Sequence, residues 1–322
     1  MKILRLLSLA ALLSTGFIEP RAQAWSGPGH MAVAALAYRE LAPADRAKVD
    51  KILAAHPAFK AWQKQYPGDV VISADVFPVM MAAMWPDAIR GTADDEPSRH
   101  FTTFPLYPPD FPWATRIRKE NDALVGLQAA LATLRSTRTD DVAKAKALAW
   151  LIHIVGDVHQ PLHSSSLYLK SLPDDVGDRG GNSLYVTPPK GKYPVSLHSF
   201  WDGQFGKCDA AKPRVENVRM ASRVAGMARL HHTRVDLKAE LLPHSDPAAW
   251  CTESRHHAIH DAYQDGKLDY RVATFDHKGH AIAPKQAPRL PLAYVQNARA
   301  VSEHRIALAG YRLADLIRDT LK

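Results

Sequence analysis

The chain has 322 residues and is 46% hydrophobic, 23% charged and 8% aromatic. This balance excludes a disordered tail, a collagen-like fibre and a small disulfide scaffold, and the length supports a core that needs no covalent staples. Lys and Arg number 41 against 33 Asp and Glu, a net charge of +8, which favours phosphate-bearing partners only as a general field.

Met1 to Ala24 reads as a secretory signal peptide. Lys2 and Arg5 form its basic start, Leu6 to Phe17 its largely apolar centre, and Ala22-Gln23-Ala24 its cleavage signal. The apolar run is too short to cross a membrane, and no later run is long enough. A soluble protein beginning at Trp25, without a membrane anchor, is therefore expected in the periplasm or outside the cell. An oxidising compartment allows one disulfide, Cys208 with Cys251; two buried thiols are the alternative.

The rest of the chain is patterned mainly for helices. His30 to Leu41 carries apolar residues at helical spacing, and Ala44 to Ala55 follows behind Pro43. Ala74 to Arg90 is a third helical stretch, with Pro78 and Pro86 expected to kink or interrupt it. Leu124, Leu127, Leu131 and Leu134 make one stripe. Asp141 to His159 forms the next helix, which Pro161 ends. Val215, Val218, Ala221 and Ala225 mark another. Asp246 caps a helix through Tyr263. Ile306, Ala309, Leu313, Leu316 and Ile317 line the last.

Strand signals are weak. The best is Asn182 to Val186, paired near Val195. Pro105 to Trp113 and Leu172 to Pro194 read as long loops. The simplest architecture is one all-α domain over residues 25–322, with a small β-hairpin.

Sixteen histidines are an unusual number, and their positions matter more than their count. His153 and Asp157 are four apart on one face of an apolar helix. Buried imidazole and carboxylate need partners, and both are good zinc ligands. His163 lies just past Pro161, where the chain leaves the helix. His198 and Asp202 repeat the four-residue spacing. Asp87 stands three residues before Arg90. His100 begins an apolar stretch, and His30 lies near the start of the mature chain. Each pair alone is as readily a structural one. Together they form imidazole-rich, thiolate-free sets suited to zinc.

In sequence order, the Trp25–His30 start, Trp85-Pro-Asp-Ala-Ile-Arg90, the run His153 to His163, Leu197-His-Ser-Phe-Trp-Asp202 and the closing segment Ala309 to Ile317 form a specific pattern. On these motifs the chain resembles the zinc-dependent single-strand-specific nucleases of fungi, plants and bacteria, which belong with the zinc phospholipases C. The resemblance implies their helical fold and three zinc ions. It implies that Asp87, His100, His153 and Asp157 hold one metal, and that His163, His198 and Asp202 hold a second. It assigns Trp25 and His30 to the third, with Asp157 bridging to the first. Trp25 would act through its own α-amine and carbonyl oxygen, so this site depends on cleavage after Ala24.

The same resemblance makes Arg90 the clamp for phosphoryl charge and Phe101 a base-stacking ring. Thr103 stands where the best-known members carry an acidic residue that reads the base edge. Asn182 falls in a loop near the cleft. His159 matches no ligand and reads as structural. Glu253, His256, His257, His260 and Asp261 read as a solvated or interhelical face.

The implied activity is hydrolysis of single-stranded DNA and RNA to 5′-phosphate products, with 3′-nucleotidase activity, by a monomer with no stable protein partner. A phospholipase C is the near alternative; that branch typically has Glu where this chain has Asp202. A non-catalytic zinc-binding protein is the other, and Arg90 argues against it.

Overall fold

The computed structural model describes residues 25–68, 72–108, 122–172, 177–242, 246–277 and 279–322. The expected signal peptide and most of the proline-rich stretch after Pro105 lie outside the described residues.

Eleven α-helices occur among the described residues, and helix dominates, as expected of an all-α domain. They are α1 Gly27–Glu40, α2 Pro43–Ala54, α3 Phe59–Lys64, α4 Val76–Ala88, α5 Ala123–Arg135, α6 Asp141–Asp157, α7 Leu197–Asp202, α8 Val215–His231, α9 Lys238–Leu241, α10 Pro247–His257 and α11 Leu292–Thr320. The strands are short. β1 Phe104–Leu106 runs parallel to β2 Ser165–Leu167. β3 Leu184–Val186 lies between β4 Val195–Ser196 and β5 Arg271–Val272, antiparallel to both. β6 Thr274–Phe275 pairs with β7 Ala281–Ile282.

Three helices set the site. α1, α4 and α6 are apolar around most of their circumference, and such helices belong in the interior. α1 is buried from Gly27 to Tyr38, α4 almost throughout, and α6 from Ala147 to Asp157. α1 packs against α4, α8 and α11, while α6 packs against α4 and α5. One core spans these elements, and a second lies around Leu184, Trp201 and Tyr294.

Local chemistry explains several boundaries. Asp140 caps α6 by accepting from the Ala143 amide. Asp122 caps α5 through the amides of Leu124 and Val125. Asp246 caps α10 as expected, and its helix continues through a widened turn over Ala258–Ala262. The expected hairpin forms between β3 and β4, and β5 joins on the other side.

The proline expectation is corrected, since α4 runs unbroken across both prolines. Pro78 lies in the first turn, where amides have no helical partner to lose. Pro86 falls within the last turn, and its missing amide costs the helix one bond, that to the Ala82 carbonyl. The disulfide is corrected too: Cys208 and Cys251 are both thiols. Cys208 packs beside the Gly27 backbone, and burial raises its thiol pKa to about 12.

Candidate metal centre

Four separate parts of the sequence meet at the buried ends of α1, α4 and α6. α1 contributes His30, α4 contributes Asp87, and α6 contributes His153 and Asp157. A 3-10 turn at Pro97–His100 brings His100. Its exit is fastened on both sides: the Thr102 amide donates to the His163 carbonyl, and the Ala123 amide donates to the Phe101 carbonyl. Thr102 Oγ1 also donates to the α5 cap, Asp122.

Close approach of α1 to α6 requires Gly156. A Cβ there would lie 2.7 Å from His30 Nδ1. The His30 ring instead stacks on His153, with centroids 3.9 Å apart.

Asp157 is the hub. Its Oδ1 lies 3.2 Å from His30 Nε2, while its Oδ2 lies 3.2 Å from both His100 Nδ1 and His153 Nε2. Asp87 Oδ1 stands 3.9 Å from His100 Nδ1 and 4.0 Å from His153 Nε2. Burial opposes charge on Asp157, yet His153, His100 and His30 together hold its carboxyl well below the usual range. Burial lowers the His30 pKa to about 4, so its ring is neutral and able to bind a cation.

A second group forms beside the first. His163 lies in the 3-10 turn Pro161–Ser164, and His198 and Asp202 lie on α7, which Ser196 caps. His163 Nε2 is 3.1 Å from His198 Nε2, which is 3.3 Å from Asp202 Oδ2. Gln160 Nε2 donates to Asp202 Oδ1 at 2.6 Å. Burial pushes the Asp202 carboxyl well above the usual carboxylate range.

The donor atoms suit metal ions. Three buried ligand sets converge: His30, Asp87 and His153; His100, His153 and Asp157; and His163, His198 and Asp202. A tetrahedral ion with bonds of about 2 Å spaces its ligands about 3.3 Å apart, close to the separations seen here. Three histidines are also oriented from behind. His153 Nδ1 donates to the Ala83 carbonyl, His163 Nδ1 to the His100 carbonyl, and His198 Nδ1 to the Gly180 carbonyl. Each bond fixes the tautomer and leaves Nε2 as a lone-pair donor. His30 Nε2 and Asp157 Oδ1 are buried without a hydrogen bond, as two ligands awaiting one cation would be.

His30 lies against the first group, its ligand atoms close to those of Asp87 and His153 as well as to Asp157. Trp25 is fully buried, its ring tilted against Phe205. The amide of Ser26, which follows it, donates to the Asp202 carbonyl at 3.0 Å, so the Trp25 main chain adjoins the second group.

Arg90 reaches back to Asp87 Oδ1 with Nε at 3.1 Å and Nη2 at 2.9 Å. Its side chain is 15% exposed, so the guanidinium lies between the buried cluster and solvent. Phe101 and Thr103 are half-buried beside His100, and Asn182 is half-buried beyond Gly180. Asn182 Nδ2 donates to the Arg179 carbonyl.

His159 donates Nδ1 to the Val155 carbonyl, and its Nε2 accepts from Arg312. Glu253 pairs with Arg305 and Arg312 between α10 and α11, and none of the three ligand sets includes His256, His257 or His260. Gln160 and the Gly180 carbonyl were not singled out from sequence. Gln160 carried a usable signal, because it lies inside the His153–His163 run.

A helical domain built around buried, pre-oriented imidazoles and carboxylates, with an arginine at its edge, suits a metal-dependent hydrolase. Residues 25–322 match the S1/P1 nuclease family model, and the chain belongs to that family. No curated protein sequence is matched by the chain.

Proposed function

We propose that this protein is a secreted, zinc-dependent endonuclease that cleaves single-stranded DNA and RNA to 5′-phosphate products and also removes 3′-phosphates from nucleotides. The observation that carries the reading is the bipartite use of Asp157, whose two carboxylate oxygens face different histidines. Such a carboxylate suits a bridge between two ions. Asp87, His100, His153 and Asp157 would hold one zinc, and His163, His198 and Asp202 a second. His30 and Trp25 would hold the third with Asp157, Trp25 contributing its α-amine and carbonyl after removal of residues 1–24. Bound zinc ions acidify water and neutralise phosphoryl charge.

The chain's own groups do the rest. Arg90, held by Asp87, presents a cation to the non-bridging phosphoryl oxygens, where charge grows in the transition state. Phe101 offers a ring for one unstacked base, which a single strand supplies more cheaply than a duplex. Thr103 contributes a hydroxyl instead of a carboxylate beside that ring, so base preference is expected to be weak. Asn182 would contribute from its loop near the cleft. Asp202 in place of Glu favours nucleic acid over phospholipid.

The test is one preparation of the secreted protein. Its metals are counted by elemental analysis. Single-stranded DNA, RNA, a 3′-mononucleotide and phosphatidylcholine are then assayed with chelator and after zinc is restored. About three zinc ions per chain, with zinc-dependent cutting of both nucleic acids, supports the reading. Turnover of phosphatidylcholine alone would move the protein to the phospholipase branch. Zinc without any turnover would leave a metal-binding protein.

A further inference from the structure

One turn beside the metal cluster has an unusual backbone. Gly177, Arg179, Gly180 and Gly181 all have positive φ, at 55°, 55°, 63° and 83°. The glycines are accounted for by space as well as angle, because a Cβ on Gly180 would lie 2.4 Å from the Leu162 carbonyl oxygen. Arg179 is different. It is one of three non-glycine residues with positive φ among the described residues, and glycine would hold the same conformation at lower cost.

The turn is firmly built. The Arg179 amide donates to Ser166 Oγ, and its carbonyl accepts from Asn182. Beneath it Asp178 is buried, accepting from Ser166 Oγ, the Leu167 amide and the Tyr263 hydroxyl. The next carbonyl, that of Gly180, orients the ligand-type imidazole of His198. Arg179 itself is exposed, and its guanidinium makes no ion pair or hydrogen bond among the described residues.

A rigid turn thus carries an exposed cation, without an ion pair among the described residues, one residue from the carbonyl that orients His198. Among the described residues no internal contact makes use of that guanidinium. A polyanion passing over the cluster would, because guanidinium matches phosphate geometry in a two-pronged contact. Resting on the nuclease reading above, we propose that Arg179 binds a backbone phosphate flanking the scissile one, and so favours longer single strands over minimal substrates. It touches no reacting atom and sets affinity and length preference.

The experiment compares R179Q, R179K and R179G with the wild-type protein. Substrates are a single-stranded oligonucleotide and a dinucleoside monophosphate, which has no flanking phosphate. Zinc content and thermal midpoint are measured alongside. The expected result is a KM for the oligonucleotide raised about tenfold in R179Q and R179G, with the dinucleotide affected far less. The slope of log kcat/KM against log salt should shallow by about 0.7, the value for one single-strand phosphate contact, and R179K should restore it. R179G tests whether the residue is merely structural, because it relieves the backbone conformation and should fold at least as stably. Oligonucleotide KM and salt slope unchanged in both R179Q and R179G would overturn the proposal. So would equal losses on both substrates accompanied by loss of zinc. A wild-type protein that cuts neither substrate would instead remove the nuclease reading beneath it.

Discussion

His163 donates its Nδ1 hydrogen to the main-chain carbonyl of His100 at 2.5 Å. One ligand-type histidine of the second group therefore holds the backbone of a ligand-type histidine in the first. The return contact, from the Thr102 amide to the His163 carbonyl, closes a loop between the two segments. Metal binding in one group is therefore expected to depend on the other. H163A is expected to lose its own ion and to surrender the remaining ions at lower chelator concentration than the wild-type protein. Elemental analysis across a chelator series checks this; loss of one ion with the others held as tightly as before would break the link.

Gln160 acts on Asp202 in a similar way. Its amide nitrogen donates to Asp202 Oδ1, and its carbonyl accepts from the Leu162 amide at 2.5 Å. Removing such a support from a metal-binding carboxylate costs about 10- to 100-fold in metal affinity. Q160L should show that loss at one of the bound ions only, read by competition with a coloured chelator. Unchanged affinity at every ion would mean the contact does not orient the ligand.

Arg90 separates catalysis from metal storage. With zinc in excess R90A should keep its full complement of metal, although losing its bonds to Asp87 should weaken affinity at that ion, while turnover falls by about 100- to 1000-fold, the usual cost of removing one donor from a developing charge. Parallel metal analysis and single-strand cleavage decide it, and full activity in R90A would refute the assigned role.

His56 gives a pH dependence away from the metal cluster. It is buried between Trp62 and Trp85, and its Nδ1 accepts from the Ala58 amide. Burial, with Lys146 adding to it, lowers its pKa to about 4. The folded pKa is below the unfolded one, so the unfolded chain takes up the proton first. The stabilising contribution is complete above pH 6.5 and fades as pH falls towards 4. Denaturant midpoints of wild-type protein should therefore fall more steeply across that range than those of H56F, with both proteins in the same metal state. Parallel pH profiles would show that His56 does not titrate as described.

The helices were legible where burial imposes a period or a cap. α5, α6, α8 and α11 lie where the apolar stripes predicted them. The ligand-type residues were legible for a related reason. His153 with Asp157, and His198 with Asp202, sit four apart on single helices, so local geometry alone places each pair on one face. The proline expectation failed because a proline's cost depends on which turn of the helix it occupies. The disulfide failed because the number of cysteines says nothing about how their backbones are oriented.

By itself, the sequence determined the helical class, the His153–Asp157 and His198–Asp202 pairs and the arginine three residues past Asp87, because each rests on spacing within a few residues. Tertiary structure alone decided how these pieces meet. Asp157 divides its two oxygens between histidines from three segments, the His100 carbonyl accepts from His163, and Gly180 in a left-handed turn orients His198. None of these has a periodic or local signature. Each arises from a backbone group or carboxylate oxygen that packing brings near an imidazole distant in sequence, where burial leaves it no water as an alternative partner.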